Sequence, residues 1–159
     1  MQHPKLKLNS LDQLTKLFLK KIKSNQSNRL MVCIAGAPGS GKSYISSYLL
    51  KKINFIRQQS EIFEMDGFHY DDVILKKKKL IKRKGSQQTF DVMGLKSFLQ
   101  RLKTNNEVQV TVPIFDRKLE LSRGSAKIIK NTIPLIITEG NYLLLKQKPW
   151  SELQSYFDL

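Results

Sequence analysis

Cysteine is almost missing from this chain. Cys33 stands alone in 159 residues, so no disulfide framework can form within it, which fits a reducing compartment. Long apolar runs are missing too: no segment has the length to cross a bilayer, and the N-terminus lacks the apolar core of a secretory signal. No membrane association is expected, and the cytoplasm is the expected location. Acidic residues are scarce, 13 against 28 Lys+Arg, and the formal net charge of +15 favours anionic partners: nucleotides, phosphate esters, nucleic acid or acidic lipid. Lysines outnumber arginines and aromatics do not interleave with the basic run, which argues against a base-reading or base-stacking platform. With 40% apolar residues the chain can fill the core of one domain, and no second domain is expected.

What is present begins with Gly36-Ala37-Pro38-Gly39-Ser40-Gly41-Lys42-Ser43, which fits G-x-x-x-x-G-K-[ST] at every fixed position. The apolar run Leu30 to Ala35 precedes it as a candidate strand, and Tyr44 and the amphipathic residues after it open a candidate helix. Glycines permit tight backbone geometry, and successive N–H groups with a helix N-terminus make an anion cradle. Residues 36–44 are therefore candidate nucleotide-binding residues, with Lys42 reaching the β- and γ-phosphates of ATP and Ser43 holding Mg²⁺.

Ser10 to Gln13 reads as a capping box before an amphipathic helix over 11–23, and 24–29 as a polar connection. The strand Leu30 to Ala35 is apolar enough to be buried on both faces, and the helix from Lys42 is expected to end near Ile53 or Asn54. A second strand over Ser60 to Met65 would deliver Asp66 and His69 to its carboxyl end, where open α/β sheets bind ligands. Asp66 could meet Mg²⁺ through water, accept a proton from an acceptor hydroxyl, or cap the next helix. His69 could touch substrate or be structural.

Residues 76–88 read as a basic loop, with Lys76 to Lys79, Lys82, Arg83 and Lys84 forming either a solvated surface or an attractor for an anionic substrate or nucleic acid. Thr89 or Asp91 would cap a helix running through Arg101 or Lys103. The stretch 108–130 reads as an excursion: alternating Val108, Val110 and Val112 in an exposed strand that stops at Pro113, a polar loop over 114–125, and a short strand over Ala126 to Ile129. Leu135 to Thr138 is the third core strand, presenting Glu139 as a second acidic residue for the magnesium shell, and 134–159 closes the chain with Ser151 capping a short helix and Tyr156 to Leu159 entering a further strand.

The segments GAPGSGKS, MDGFHYDD, RKGSQQTFDV, VPIFDRKLELSRG and IITEGNYLLLKQKPW occur in the order found in bacterial nucleoside/nucleotide kinase-like P-loop proteins, which this chain resembles over nearly its whole length; uridine kinase, phosphoribulokinase and type I pantothenate kinase belong to that group. The resemblance implies a three-layer α/β P-loop NTPase fold with a mostly parallel sheet, and ATP- and Mg²⁺-dependent phosphorylation of an alcohol group on a small metabolite. It implies catalytic roles for Lys42 and Asp66, the latter as base. Ser43, Asp66 and Glu139 fall at metal positions, and His69, Phe115, Asp116, Arg117 and Arg123 at acceptor positions. Glu120 falls near a histidine of uridine kinases, which leaves the acceptor open among nucleosides, pantothenate and sugars.

Members of that group continue past the segment matching Tyr156 to Leu159 with another core strand, an arginine-bearing lid, a final strand and part of the adenine pocket. The expectation is a C-terminally truncated chain, with Leu30 to Ala35 near an exposed edge that a homo-oligomer could cover and with turnover impaired for want of lid arginines. Two other readings stand beside the kinase: a nucleic-acid-associated ATPase or polynucleotide kinase, and an inactive nucleotide-binding regulatory or assembly protein.

Overall fold

A computed structural model describes residues 10–24, 29–56 and 59–159. Most of the polar connection expected over 24–29 lies outside them. Helix α1 (Leu11–Ser24) starts where the Ser10 hydroxyl accepts a hydrogen bond from Gln13 N, 3.2 Å. Strand β1 (Leu30–Ala35) leads through the phosphate loop into α2 (Lys42–Phe55), and β2 (Ser60–Glu64) into a 3₁₀ turn over Met65–Phe68. The rest is α3 (Asp72–Lys77), α4 (Val92–Thr104), β3 (Gln109–Asp116), β4 (Leu121–Lys130), β5 (Leu135–Gly140) and a 3₁₀ stretch over Trp150–Tyr156.

Strands β1, β5 and β2 form a parallel sheet in the order β1-β5-β2, with Leu30 opposite Leu135 and Ser60 opposite the same residue from the other side. Because side chains alternate across a strand, the apolar runs serve both faces. Leu30, Val32, Leu135 and Ile137 pack on α1 and α2 through Phe18, Leu49 and Ile53. Met31, Phe63 and Ile136 pack on the other side against Leu95, Leu99 and Leu102 of α4, with Val110, Val112 and Ile129 of the β3–β4 hairpin. The result is three layers with the sheet between two cores. All three strands end, at Ala35, Glu64 and Gly140, on the side of the phosphate loop.

Several expectations need correction. The strand from Val108 neither stops at Pro113 nor lies exposed: β3 runs to Asp116, with Val110 and Val112 fully buried, and a register shift between Val112 and Ile114 accommodates the proline that cannot donate to the ladder. The polar loop over 114–125 is mostly strand, because Ile114, Phe115 and Asp116 pair with Arg123, Ser122 and Leu121. Lys127 staples this hairpin to β2 through the Ile62 carbonyl, 2.7 Å, and the Glu61 carboxylate, 2.7 Å.

The basic stretch 76–88 is not one loop. Its first lysines end α3, whose N-cap is Asp71 rather than Asp66, and short 3₁₀ turns follow at Ile81–Arg83 and Gln87–Thr89. Ser151 caps nothing, lying inside the 3₁₀ stretch that follows Pro149, while Asp91 rather than Thr89 caps α4 by accepting from Gly94 N. Beside β1, Asp158 N donates to the Met31 carbonyl and Cys33 N to the Leu159 carbonyl, both at 2.8 Å.

Candidate active site

The phosphate loop closes a hollow of about 200 Å³ at the carboxyl ends of the strands. Gly39 and Gly41 have φ of 75° and 85°, left-handed values that side chains resist, and Gly41 leads directly into α2. The Lys42 ammonium folds onto the Ala37 carbonyl at 2.9 Å, and the Ser43 hydroxyl donates to Glu139 Oε1 at 2.9 Å. The second carboxylate oxygen of Glu139 is buried without a hydrogen-bond partner. A buried, unpartnered carboxylate oxygen next to a hydroxyl is a donor set that a hard cation such as Mg²⁺ takes, so Ser43 and Glu139 fit such an ion.

Glu64 joins them. It is paired in register with Glu139 on the neighbouring parallel strand, so the two carboxylates stand side by side facing the loop. Burial pushes the Glu64 carboxyl above its ordinary range, with Glu139 and Asp66 adding to the rise and Lys127 and Arg117 opposing it. Sequence reading passed over Glu64, which becomes a site residue only through the register of β2 with β5. Among the described residues, no three acidic, histidine or cysteine side chains converge as a ready-made metal cage.

Asp66 sits on the 3₁₀ turn at the end of β2, and its Oδ2 accepts from Arg117 Nη2 at 3.2 Å. Both residues, with Pro38 and Asn141, also line a second hollow of about 240 Å³. Its wall is a run of rings: His69 lies between Phe90 and Phe115, with centroids 4.0 and 4.7 Å away. His69 Nδ1 is 2.8 Å from the Asp66 carbonyl oxygen, which can only accept, so Nδ1 carries the proton and the turn that bears Asp66 is braced. Lys84, the innermost of the basic run, points here and donates to Asp72 Oδ1 at 2.7 Å and the Glu120 carbonyl at 2.6 Å.

Of the acceptor candidates, His69, Phe115 and Arg117 line this hollow, and Asp116 and Arg123 do not. The Asp116 carboxylate accepts from Lys118 N and Leu119 N at the hairpin tip and faces Arg123 Nη1 at 3.5 Å, contacts that hold it below the usual carboxylate range. Tyr44 is 69% exposed, on the outer face of α2. Lys84, Phe90 and Asn141 also line this hollow; sequence reading did not single them out, because Lys84 was absorbed into its lysine run and the other two stood only as members of the TFD and EGNY segments.

A parallel sheet, a glycine loop entering a helix and a paired serine and carboxylate beneath that loop define the class of P-loop nucleotide-binding α/β proteins. No protein-family model matches the chain. A protein named "Putative uridine kinase" from Schizosaccharomyces pombe is 30% identical over 96% of the chain and 66% of its own length. A pantothenate kinase of Bacillus velezensis is 29% identical over 69% of the chain, which covers 35% of that relative. The solved structure of a "putative fructose transport system kinase" from Silicibacter superposes with a TM-score of 0.87 at 33% identity, covering 94% of this chain and 72% of that one. The chain belongs to the P-loop kinase family that includes uridine kinase and pantothenate kinase. It spans about two thirds of the length of the first of these curated relatives and about a third of the second.

Proposed function

We propose that the chain carries the phosphoryl-transfer site of an ATP-dependent kinase acting on an alcohol group of a small metabolite, a nucleoside, pantothenate or a sugar. The observation that carries this is the placement of Asp66 where the phosphate-loop hollow and the ring-walled hollow meet. Nucleotide phosphates would lie along the loop amides with Lys42, and the acceptor against His69, Phe90 and Phe115. Asp66 is then the carboxylate within reach of a hydroxyl aimed at the γ-phosphorus, and takes its proton as the new P–O bond forms. Ser43 and Glu139 would hold the metal, which when bound would neutralise charge on the phosphates. His69 orients the Asp66 turn, and the ring wall excludes water from one side of the acceptor.

The test is ATP turnover against a panel of nucleosides, pantothenate and sugars. Transfer to one class is expected, with Asp66→Asn lowering kcat by about 10²- to 10⁴-fold while nucleotide binding persists. Lys42→Ala is expected to weaken MgATP binding itself. Transfer that survives Asp66→Asn unchanged, or a chain that binds no MgATP, would remove the proposal.

A further inference from the structure

We propose that Arg117 is a catalytic residue with two stations: it pairs with Asp66, and it passes to the migrating phosphoryl group once nucleotide and metal are in place. This rests on the kinase reading above.

Position comes first. Arg117 borders both hollows, so its guanidinium stands at the boundary a phosphoryl group must cross. Its side chain is 72% exposed and makes one single-point contact to Asp66 Oδ2 at 3.2 Å. An exposed pair of that geometry is weakly held and can be exchanged.

The backbone beneath it is fixed. Asp116 Oδ1 accepts from Lys118 N at 3.0 Å and from Leu119 N at 3.2 Å, and Lys84 clamps the Glu120 carbonyl at 2.6 Å. A free arm on a fixed base suits a group that must move a short distance between two known partners.

Charge supplies the direction. Glu64, Asp66 and Glu139 all border the phosphate-loop hollow, and Lys42 is turned onto the Ala37 carbonyl. Arg117 therefore serves as the counter-charge to Asp66, and its field also reaches Glu64. A divalent cation held by Ser43 and Glu139 repels the nearby guanidinium and competes with it for the negative charge bordering the hollow. The displaced guanidinium then faces the equatorial oxygens of the transferring group, which it can grip with two parallel N–H donors.

The exchange also frees Asp66 for its own step. The bond between the γ-phosphorus and the β–γ bridging oxygen breaks, the bond to the acceptor oxygen forms, and the acceptor's proton goes to the Asp66 carboxylate. Arg117 neither gains nor loses a proton; it carries charge.

The experiment uses Arg117→Ala and Arg117→Lys in the full chain with two probes. Mn²⁺ binding to nucleotide-free protein, followed by electron paramagnetic resonance, should tighten in Arg117→Ala by at least about threefold, because a competing cation is gone. The affinity for MgADP with aluminium fluoride, a mimic of the planar phosphoryl group, should fall by at least about tenfold relative to MgADP alone, with Lys restoring part of it. Equal losses for MgADP with and without fluoride, or unchanged Mn²⁺ affinity, would overturn the two-station role while leaving the kinase reading intact. A wild-type chain that binds no MgADP would overturn both.

Discussion

Cys33 shows how far one residue's surroundings set its chemistry. It sits in β1 with its amide bonded to Leu159, and burial pushes its thiol up to about 12. The thiolate is the reactive form, so at pH 8 the folded chain should react with a disulfide reagent about 10³-fold more slowly than the unfolded chain. The rate should climb with pH towards 12; fast labelling at pH 8 under native conditions would contradict it. The sign for stability follows: a folded thiol that keeps its proton favours the folded state less as pH rises above the unfolded thiol's ordinary value. The same scale separates what was legible from what was not. That Lys42, Ser43, Asp66 and Glu139 come to border one hollow could be expected in advance because each lies just beyond or at the end of an apolar strand. Glu64 could not, because its role comes from facing Glu139 across a strand pair joined over a long sequence separation.

Among the elements, the 3₁₀ turn over Met65–Phe68 holds the site together, and Gly67 is its point of closest approach. A Cβ added there would lie 2.6 Å from the Pro113 carbonyl oxygen and 2.9 Å from its carbon, against backbone that cannot swing aside. Gly67→Ala should therefore cost about 1–3 kcal/mol in urea unfolding. It should also lower kcat more than it raises the KM for ATP, since the turn that shifts carries Asp66 while the phosphate loop stays in place. A fully stable, fully active variant would show that β3 yields more readily than its pairing suggests. This contact explains why the hairpin was misread. Alternation over Val108 to Val112 was visible, but Pro113 looked like a strand end, and only the register shift beside it, with the turn packed on its carbonyl, shows that the strand passes through. The bounds of α3, a helix anticipated only as one that Asp66 might cap, could not be read for a simpler reason: six residues ending in lysines carry no apolar period long enough to read.

Across the whole molecule, two cores lie on opposite faces of the sheet, and Arg29 ties their margins together at the start of β1. It is 2% exposed, and its guanidinium donates to the Ile133 carbonyl at 2.9 Å, to Leu102 at 3.0 Å and to Lys130 at 2.6 Å. One side chain thereby joins the first strand, the last turn of α4, the end of the hairpin and the approach to β5. Burial lowers its pKa, but a guanidinium stays charged, and carbonyls at a helix end offer the negative potential it needs. Most core strands and helices were legible from their apolar patterns and the three-layer fold from the family resemblance, whereas this tie was not, because Arg29 follows a polar stretch and its partners Lys130 and Ile133 lie about a hundred residues away. Arg29→Ala would take the side-chain donor from the Ile133 and Leu102 carbonyls, leave Lys130 only its bond from Ile133 N, and open a void between elements, so a loss of about 3 kcal/mol is expected in urea unfolding. Arg29→Lys should recover only part of it, since one ammonium cannot span the same fork. The strand ends that form the site lie at the opposite end of β1 from Arg29. MgADP should therefore still raise the melting temperature of Arg29→Lys by as much as in the wild type, whereas a lost ligand shift would mean that Arg29 also sets the geometry of the phosphate loop.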